Sequence, residues 1–259
     1  MNDKQYESYV ERFKSIFYVP PSIHLYALHG NHDVNFHYQM HPHLIDRFNR
    51  AFNTSGVRLI REKKTTAEGV ERTVSFVSIN SMALERDGCR LCNEAEVSIK
   101  SIGDRLNKSK SRGVYSQPIL LQHFPTFRKS DEECFEKSPV TEQLREKWDT
   151  LSYDSTQFIA KTLEPRAYFS GHSHHYCHLK NSVGADEFTV ASFNWRNLNH
   201  PSFLLAIFTP KEFSTSKCDL PRESTVIAFY VIGCLLSLVF TIVNFNFLRF
   251  LRRFKRNDF

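Results

Sequence analysis

The stretch Leu28-His-Gly-Asn-His-Asp-Val-Asn-Phe-His37 places three histidines, one aspartate and two asparagines within ten residues. It follows the apolar run 23–28, which we expect to form a short buried strand. Gly30 permits a sharp turn that would return the next side chains over the end of that strand. Open α/β sheets bind their ligands beyond the carboxyl ends of their strands. The stretch therefore predicts a ligand site at a sheet edge.

Two later segments have the same design, an apolar run that ends in histidine. They are Leu120-Leu-Gln-His-Phe-Pro125 and Tyr168-Phe-Ser-Gly-His-Ser-His-His175. A single histidine is more often a surface or core residue than a ligand. Three strand ends with imidazoles at matching places instead favour a shared site for a first-row divalent metal. If the backbone after Gly171 is extended, the alternation of His172 and His174 aims both rings the same way.

Strands and helices alternate along the chain, which predicts an α/β fold. Helical spacing covers 6–17, 43–52, 93–111 and 155–163 before Pro165, and β-type runs cover 73–81, 117–123, 167–175, 187–193 and 202–210. Residues 130–150 form a charged, loop-rich insertion. Hydrophobic residues make up 41% and charged residues 24% of the 259, which are ordinary values for a globular protein. We assign residues 1–222 to one folded domain.

The net charge of +6 would in principle suit nucleic acid. The basic residues, however, form no stripe with interleaved aromatics. We interpret the excess as a diffuse surface charge plus a basic C-terminal tail, and we expect no nucleic-acid partner.

The segment Val226–Leu248 has 23 residues without a charge. At about 1.5 Å rise per residue, a helix of this length crosses a hydrocarbon core of roughly 30 Å. A buried core helix rarely lacks a polar stripe over six turns. We therefore predict one transmembrane helix at 223–250. Five of the eight residues from Arg249 to Arg256 are basic, which places the tail 251–259 in the cytosol by the positive-inside rule.

The domain before the span then lies in a lumen or outside the cell. The glycosylation sequons at Asn53 and Asn107, both in loop-like contexts, agree with this side, as do the five cysteines that precede the span. The first residues have neither a signal-peptide core nor a span. The simplest expectation is that the natural N-terminus, with a targeting segment, is missing from this sequence.

The pair Cys89-Arg-Leu-Cys92 has several interpretations. It could be half of a zinc site or a redox pair, but there is no second such pair. A local disulfide, or pairing with Cys134 or Cys177, is the preferred interpretation. The histidines at 37, 41 and 43 either line the site or are solvated.

The motifs Gly30-Asn-His-Asp33, Gln122-His-Phe-Pro125 and Gly171-His-Ser-His174 resemble the last three signature blocks of the calcineurin-like metallophosphoesterases. That family holds two divalent metals in an α/β/β/α sandwich, and Mn²⁺ is the metal expected. The resemblance implies such a sandwich here, incomplete because its N-terminal strands are absent, with one transmembrane helix after it.

The resemblance also assigns roles by position. Asn31, His123 and His172 would bind one metal, and His174 would bind the other. His32 would be the general acid beside the leaving oxygen, with Asp33 orienting its ring.

The family pattern opens with an Asp-x-His block and a Gly-Asp block, and neither occurs before Gly30. The later pair Gly103-Asp104 lies within a polar helix and is not the missing block. Without those carboxylates we expect this chain to be nearly or wholly inactive. We interpret it as an incomplete gene model or a truncated isoform.

Further blocks resemble a membrane-anchored branch of the family that remodels GPI anchors early in the secretory pathway: Asp87-Gly-Cys-Arg-Leu-Cys92, Ser192-Phe-Asn-Trp-Arg-Asn197 and Ser216-Lys-Cys-Asp-Leu-Pro-Arg-Glu223. This implies removal of side-chain ethanolamine phosphate from a GPI mannose, with GPI-anchored proteins or the GPI glycolipid as partners. The implied location is the membrane of the endoplasmic reticulum, its exit sites or the Golgi. Arg196 would contact the substrate phosphate or else stabilise its loop. Alternatives are a non-catalytic binding protein for the same groups and a metallophosphoesterase for other phosphoesters.

Overall fold

A computed structural model describes residues 1–65, 71–111, 115–136 and 143–257. The helices within these ranges are α1 (Asp3–Ile16), α2 (Asn31–Val34), α3 (Pro42–Phe52), α4 (Arg90–Ser111), α5 (Tyr153–Leu163) and α6 (Glu223–Asn257). The strands are β1 (Val57–Thr65), β2 (Glu71–Ile79), β3 (Ile119–Leu121), β4 (Ala167–Ser170), β5 (Cys177–Lys180), β6 (Asp186–Thr189), β7 (Ser202–Phe208) and β8 (Phe213–Asp219). The predicted helices at 6–17, 43–52, 93–111 and 155–163 are thus confirmed within a few residues.

Six strands form one mixed sheet in the order β1-β2-β3-β4-β6-β5. The four central strands β2, β3, β4 and β6 are parallel, and the edge strands β1 and β5 are antiparallel to their neighbours. Parallel strands direct their carboxyl ends to one edge of the sheet. That edge carries the loops that follow β3 and β4.

One face of the sheet is covered by α4 and α5. Val77, Leu120 and Tyr168 point to this face and are fully buried in one core with Ile99 of α4 and Ile159 of α5. Gly103 lies at a close contact between the two helices, because a Cβ added there would be 2.6 Å from the Thr162 carbonyl oxygen of α5. The pair Gly103-Asp104 lies within a helix, as predicted, and Gly103 is a position where that helix packs.

The β7–β8 hairpin covers the opposite face. The ring of Phe208 on β7 lies 5.1 Å from that of Phe76 and 5.7 Å from that of Phe169, measured between centroids. These two rings alternate along their strands with the helix-facing Val77 and Tyr168, as the two-residue period of a strand requires. Helices, sheet and hairpin form three layers, and the predicted mixed α/β class is confirmed.

The predicted strand at 23–28 is wrong. In the described part of the chain this segment pairs with no strand, and Ile23 is 60% exposed. It runs beside β1 through side chains instead, with the Tyr26 hydroxyl and His24 Nδ1 on the Glu62 carboxylate. A strand needs a backbone partner, and among the described contacts no backbone hydrogen bond joins this segment to the outer edge of β1. Apolar content alone did not reveal this.

Two disulfides connect described cysteines, Cys89 with Cys92 and Cys134 with Cys177. The first is the local pairing preferred from the sequence. The second joins the loop after β3 to β5. The Cys89–Cys92 bond closes the turn that leads into α4.

The predicted membrane span lies on α6. Its segment Glu223–Asn246 is long and apolar enough to cross a membrane, and none of it is buried in the domain. Three residues, Leu220 to Arg222, separate β8 from α6. The domain contacts both sides of this junction, since the Trp195 indole donates to the Pro221 carbonyl at 2.9 Å and the Glu223 N–H donates to Asn199 Oδ1 at 2.8 Å.

Candidate metal centre

The histidine loops that follow β3 and β4 meet because these two strands are parallel neighbours in the sheet. His123 lies two residues beyond β3, and His172 lies two residues beyond β4. The Gly171 N–H donates to the His123 carbonyl at 3.0 Å and joins the loops. Asn31, the first residue of α2, reaches the same point. The carboxyl edge of the sheet therefore collects all three motifs, as the sequence predicts.

Three side-chain atoms surround one point at this edge. His123 Nε2 lies 2.8 Å from Asn31 Oδ1 and 3.3 Å from His172 Nδ1. An amide oxygen only accepts, so Nε2 carries the proton here and faces two acceptors. That proton points to the space between the three atoms, which is where a cation would be bound. Exchanging it for a metal ion leaves one amide oxygen and two imidazole nitrogens as ligands.

The tautomer of His172 is fixed by the backbone. Its Nε2 lies 2.9 Å from the Trp148 carbonyl oxygen, which can only accept. Nε2 therefore carries the proton, and Nδ1 presents its lone pair to the centre. Metal-binding histidines generally donate their other N–H to a carbonyl or carboxylate in this way. The arrangement of His172 fits a metal ligand.

Burial keeps these rings neutral. Loss of solvation lowers the pKa of His123 to about 3, and the charges of His172, His174 and His32 act in the same direction. Burial likewise lowers the pKa of His172 to about 4, against the opposing hydrogen bond to Trp148. Neutral imidazole is the form that binds metals. At neutral pH neither ring is an imidazolium, so His123 needs only to move its proton from Nε2 to Nδ1 in order to present a lone pair to a metal ion.

Gly30 allows the close approach of α2 to His123. A Cβ at this position would lie 3.0 Å from Asp33 Oδ2 and 3.3 Å from His123 Cε1. Either contact would force a neighbour to move. The glycine predicted as a turn residue is thus also a packing requirement of the centre.

The loop after β4 is not extended, so the prediction that both rings point the same way for that reason is wrong. His172 and His174 have φ values of 72° and 65°, in the left-handed region. For residues other than glycine this conformation costs on the order of 1–3 kcal/mol each. The bond from the Ser192 N–H to the His174 carbonyl at 3.0 Å helps to hold it. Such strain is concentrated at functional sites.

His32 is exposed and lies beside the centre, since its charge lowers the pKa values of His123, His172 and His174. Asp33 is partly buried, and its Oδ2 accepts from the Gly30 N–H at 3.0 Å. Burial raises the pKa of Asp33. Among the described contacts, no hydrogen bond joins Asp33 to His32. The general-acid role of His32, and its orientation by Asp33, stay predictions.

A second metal has less support from the described residues. His174 is assigned to it, and its ring centroid lies 6.5 Å from that of His172. Burial, followed by the charges of His32 and His175, lowers the pKa of His174. The structure gathers a three-atom donor set for one ion, and the assignment of His174 to another stays a prediction. All of these donors are neutral.

Arg196, the predicted phosphate contact, lies in the exposed loop between β6 and β7. Its backbone N–H donates to Asn194 Oδ1 at 3.0 Å. No described contact joins its guanidinium to the histidines. Its role in substrate binding stays a prediction.

The two sequons differ in their surroundings. Asn53 is exposed at the C-terminal end of α3 in a left-handed conformation, which is a turn. Asn107 is exposed but lies within α4, so its predicted loop-like context is wrong. Its position on a polar helix face explains why the sequence around it resembles a loop. Glycosylation of either residue stays a prediction.

The sequence did not single out Trp148, which lies in the charged insertion. Besides its carbonyl bond to His172, its ring stacks on Phe36, with centroids 4.5 Å apart and an interplanar angle of 14°. Phe36 follows the first histidine motif. The stack thus ties the insertion to the segment that carries Asn31. A lone tryptophan among charges gave no period or spacing by which to recognise this role.

A buried charged network beneath the histidine loops was also missed. The Glu187 carboxylate, fully buried, accepts from the Thr126 N–H at 2.7 Å and from the Thr126 hydroxyl. Asp131 pairs with Arg128 at 2.6 Å and with His175 at 2.8 Å, and all three are buried. The network joins the loop that follows His123 to the loop that contains His174. His175, left unassigned from sequence, is a member of it.

Comparison with known proteins gives the family. No protein-family model matches the chain. It is 34% identical over 271 residues to Metallophosphoesterase 1 of Danio rerio, an alignment that covers 98% of this chain and 69% of that protein. The chain belongs to the metallophosphoesterase 1 family. The recognition of a metallophosphoesterase from its three motifs is confirmed.

Other members of the metallophosphoesterase 1 family agree. The Drosophila melanogaster homolog is 44% identical over 250 residues, and Metallophosphoesterase 1 of Gallus gallus is 38% identical over 257. The chain spans 65% and 62% of the lengths of these relatives. The name of these relatives implies divalent metal ions, and the donor atoms described above fit such ions.

Solved structures are more distant. The chain is similar to "GAP50 the anchor in the inner membrane complex of Plasmodium", with a TM-score of 0.38 and 12% identity over 64% of this chain and 55% of that one. It is also similar to the calcineurin-like phosphoesterase YfkN from Bacillus subtilis, with a TM-score of 0.29 and 12% identity over 72% of this chain and 58% of that one. These scores support no conclusion beyond the sequence comparison.

Proposed function

We propose that the protein is a metal-dependent phosphodiester hydrolase anchored in an early secretory membrane, where it removes side-chain ethanolamine phosphate from a mannose of GPI anchors. The observation that carries the metal dependence is the convergence of Asn31 Oδ1, His123 Nε2 and His172 Nδ1 on one point. The choice of substrate rests on the resemblance of the motifs and on the apolar segment of α6.

Divalent metal ions, for which we propose Mn²⁺, would polarise the phosphoryl oxygens and stabilise the charge of the displacement. The chain's own residues bind and orient. His172 keeps its lone pair aimed inward through the Trp148 carbonyl, and buried His123 stays neutral. His32, exposed beside them, would give a proton to the departing mannose oxygen.

We further propose that the domain lies on the lumenal side of the endoplasmic reticulum, its exit sites or the Golgi. The basic residues after the apolar segment support a cytosolic tail. The two disulfides support an oxidising compartment. Protease protection of the domain in sealed microsomes tests the orientation. Digestion of the domain in the absence of detergent would exclude the lumenal orientation.

A non-catalytic binding protein for the glycan phosphate is the second candidate. It is favoured by the donor set, since an amide oxygen and two imidazoles bring no negative charge to offset that of two dications. Its binding groove would be the same. Turnover therefore discriminates between the two candidates.

The first experiment measures metal binding by the detergent-solubilised chain, using Mn²⁺ titration followed by electron paramagnetic resonance. His123→Ala and His172→Ala should each weaken binding at least about 100-fold, since loss of an outer partner alone costs 10–100-fold. His32→Ala should leave it unchanged. Equal binding by all three variants would exclude the proposed centre.

The second experiment measures turnover. Because the chain spans 65% of its Drosophila relative, turnover is measured on a form extended to that relative's length. The substrates are a GPI glycan that carries mannose-linked ethanolamine phosphate and a simple aryl phosphodiester. His32→Ala should abolish hydrolysis of the glycan while metal stays bound. Bound metal without turnover in the unsubstituted protein would favour the binding protein.

A further inference from the structure

A second cluster of reactive side chains lies away from the metal centre. It contains His37, Asp87, Cys89 and Cys92, whose nitrogen, oxygen and sulfur atoms lie within 4.8 Å of one another. We call it the cysteine–histidine cluster. The function proposed above makes no use of it.

The two sulfurs differ in access and surroundings. Cys89 is partly exposed and comes directly before α4, whereas Cys92 is fully buried in the first turn of that helix. The Cys92 N–H donates to Cys89 Sγ at 3.0 Å. Free N–H groups and the helix dipole favour an anion at a helix N-terminus. A thiolate on Cys89 would be stabilised there, and solvent reaches this sulfur first.

His37 connects the buried sulfur to a carboxylate. Its Nδ1 lies 3.6 Å from Cys92 Sγ and 3.2 Å from the Met82 carbonyl oxygen. Its Nε2 lies 2.8 Å from Asp87 Oδ2. Asp87 Oδ1 in turn accepts from the Cys89 N–H at 3.1 Å. When both ring nitrogens are protonated, each has an acceptor, and the positive charge lies beside Cys92.

We propose that the Cys89–Cys92 disulfide is a thiol–disulfide exchange site for low-molecular-weight thiols. Cys89 is the sulfur that is attacked, Cys92 is the departing sulfur, and His37 is its proton donor. Exchange rates rise with access to the attacked sulfur and with stabilisation of the departing thiolate. The cluster provides both.

The reaction balances with two thiols and one disulfide product. A first thiolate bonds to Cys89 Sγ, the Cys89–Cys92 bond breaks, and Cys92 leaves with the electron pair and takes the Nδ1 proton of His37. A second thiolate attacks the external sulfur of the mixed disulfide and releases the oxidised small molecule. Cys89 departs as the thiolate that the Cys92 N–H stabilises. Solvent reprotonates His37.

The other disulfide is an internal control. Cys134 is 8% exposed and Cys177 is fully buried, and their bond joins the loop after β3 to β5. A thiol cannot reach either sulfur without opening that region. We therefore expect the two disulfides of one molecule to respond differently to the same thiol.

The test incubates the detergent-solubilised chain with reduced glutathione at pH 7. Samples are acid-quenched, alkylated before and after full reduction, and analysed by peptide mass spectrometry. The expected result is reduction of Cys89–Cys92 at least tenfold faster than that of Cys134–Cys177. Equal rates for the two bonds would overturn the proposal.

Variants then isolate the role of the histidine. His37→Gln should slow reduction of Cys89–Cys92 roughly tenfold, because the departing Cys92 thiolate loses its proton donor. Asp87→Asn changes a half-exposed side chain, so the variant should still fold. It should slow reduction of Cys89–Cys92 to a smaller extent. His43→Gln is the matched control, since His43 pairs with Asp3 at 3.0 Å outside the cluster.

Two results would contradict the assignment. One is an unchanged rate in both His37→Gln and Asp87→Asn while Cys134–Cys177 stays oxidised, which shows that both variants are folded. The other is that the purified chain has Cys89 and Cys92 as free thiols and that metal analysis finds one equivalent of bound zinc. That second result would show a metal site built from the same four side chains.

Discussion

The Nε2 atom of His172 lies 2.9 Å from the carbonyl oxygen of Trp148. This contact decides which ring nitrogen faces the metal centre, because the other is committed to the backbone. The side chain of Trp148 holds its own carbonyl in place by stacking on Phe36. The charged insertion is thereby part of the centre's architecture.

Trp148→Ala should lower the Mn²⁺ affinity of the chain about tenfold, since outer partners of metal ligands contribute 10–100-fold. The substitution removes the ring stack and releases the turn that positions the carbonyl. Binding is measured by titration at fixed pH. Tyr38→Ala, at a ring 67% exposed, is the control. An unchanged affinity would mean that the turn is held by its backbone alone.

The metal-free chain should lose stability as the pH falls below 6.5. The pKa of His123 is lowered to about 3, so the folded state keeps this ring neutral while the unfolded state protonates it near 6.5. The contribution is complete above 6.5 and is lost progressively toward pH 3. Between pH 7 and 5 this one ring accounts for about 2 kcal/mol.

Urea unfolding of the metal-free chain and of His123→Gln at pH 7 and 5 measures this effect. The free energy of unfolding should fall by about 2 kcal/mol less in the variant over that interval. Other titrating groups contribute equally to both proteins. A parallel pH dependence in the two would show that His123 is solvated rather than buried.

Gly103→Ala should destabilise the domain by about 1–3 kcal/mol, the usual cost of overpacking. The added Cβ would meet the Thr162 carbonyl oxygen at 2.6 Å, and a backbone atom of α5 cannot turn aside. The gain in helix propensity, about 1 kcal/mol, does not offset this contact. Thermal unfolding of the chain measures it.

Asp104→Ala is the companion variant, at the exposed neighbour of Gly103. It should change neither stability nor Mn²⁺ affinity, because this Gly-Asp pair belongs to the packing of α4. Weaker metal binding in Asp104→Ala would restore the pair as a candidate metal block.

Glu187→Gln should destabilise the domain by roughly 3 kcal/mol, because breaking a buried ionic network leaves an uncompensated charge. The carboxylate is fully buried, with Arg128 Nη1 at 3.7 Å and the Thr126 N–H at 2.7 Å. Glu132→Gln, at an exposed position in the loop that carries Arg128, is the control. Denaturant unfolding measures the stability of both variants. If Glu187→Gln were as stable as Glu132→Gln, the network would have a role in loop geometry only.

The centre itself was predictable from the sequence because it depends on short-range rules. Each histidine follows an apolar run closely, and parallel strands bring their ends together whatever the intervening length. The helices 43–52 and 155–163 were likewise evident from their period. His123 and His172 could therefore be grouped before any coordinates, whereas Asn31 was grouped with them through a strand at 23–28 that does not form.

What the sequence missed depends on partners distant along the chain. The run 23–28 has strand composition, but a strand also needs backbone hydrogen bonds to a partner, and the rest of the fold decides whether these form. Trp148 acts through its carbonyl, an atom that every residue has. The left-handed backbone at His172 and His174 follows no pattern of residue types. The network of Arg128, Asp131 and His175 is likewise spread over two loops.

The junction of three residues between β8 and α6 spans at most about 10 Å when fully extended. The contacts of Trp195 and Asn199 shorten its free length further. Where α6 crosses a bilayer, the domain is held against the headgroups and cannot sample the distant aqueous volume. Its encounters are then governed by lateral diffusion of molecules in the same leaflet, and the surface density of a substrate, rather than its bulk concentration, sets how often the two meet.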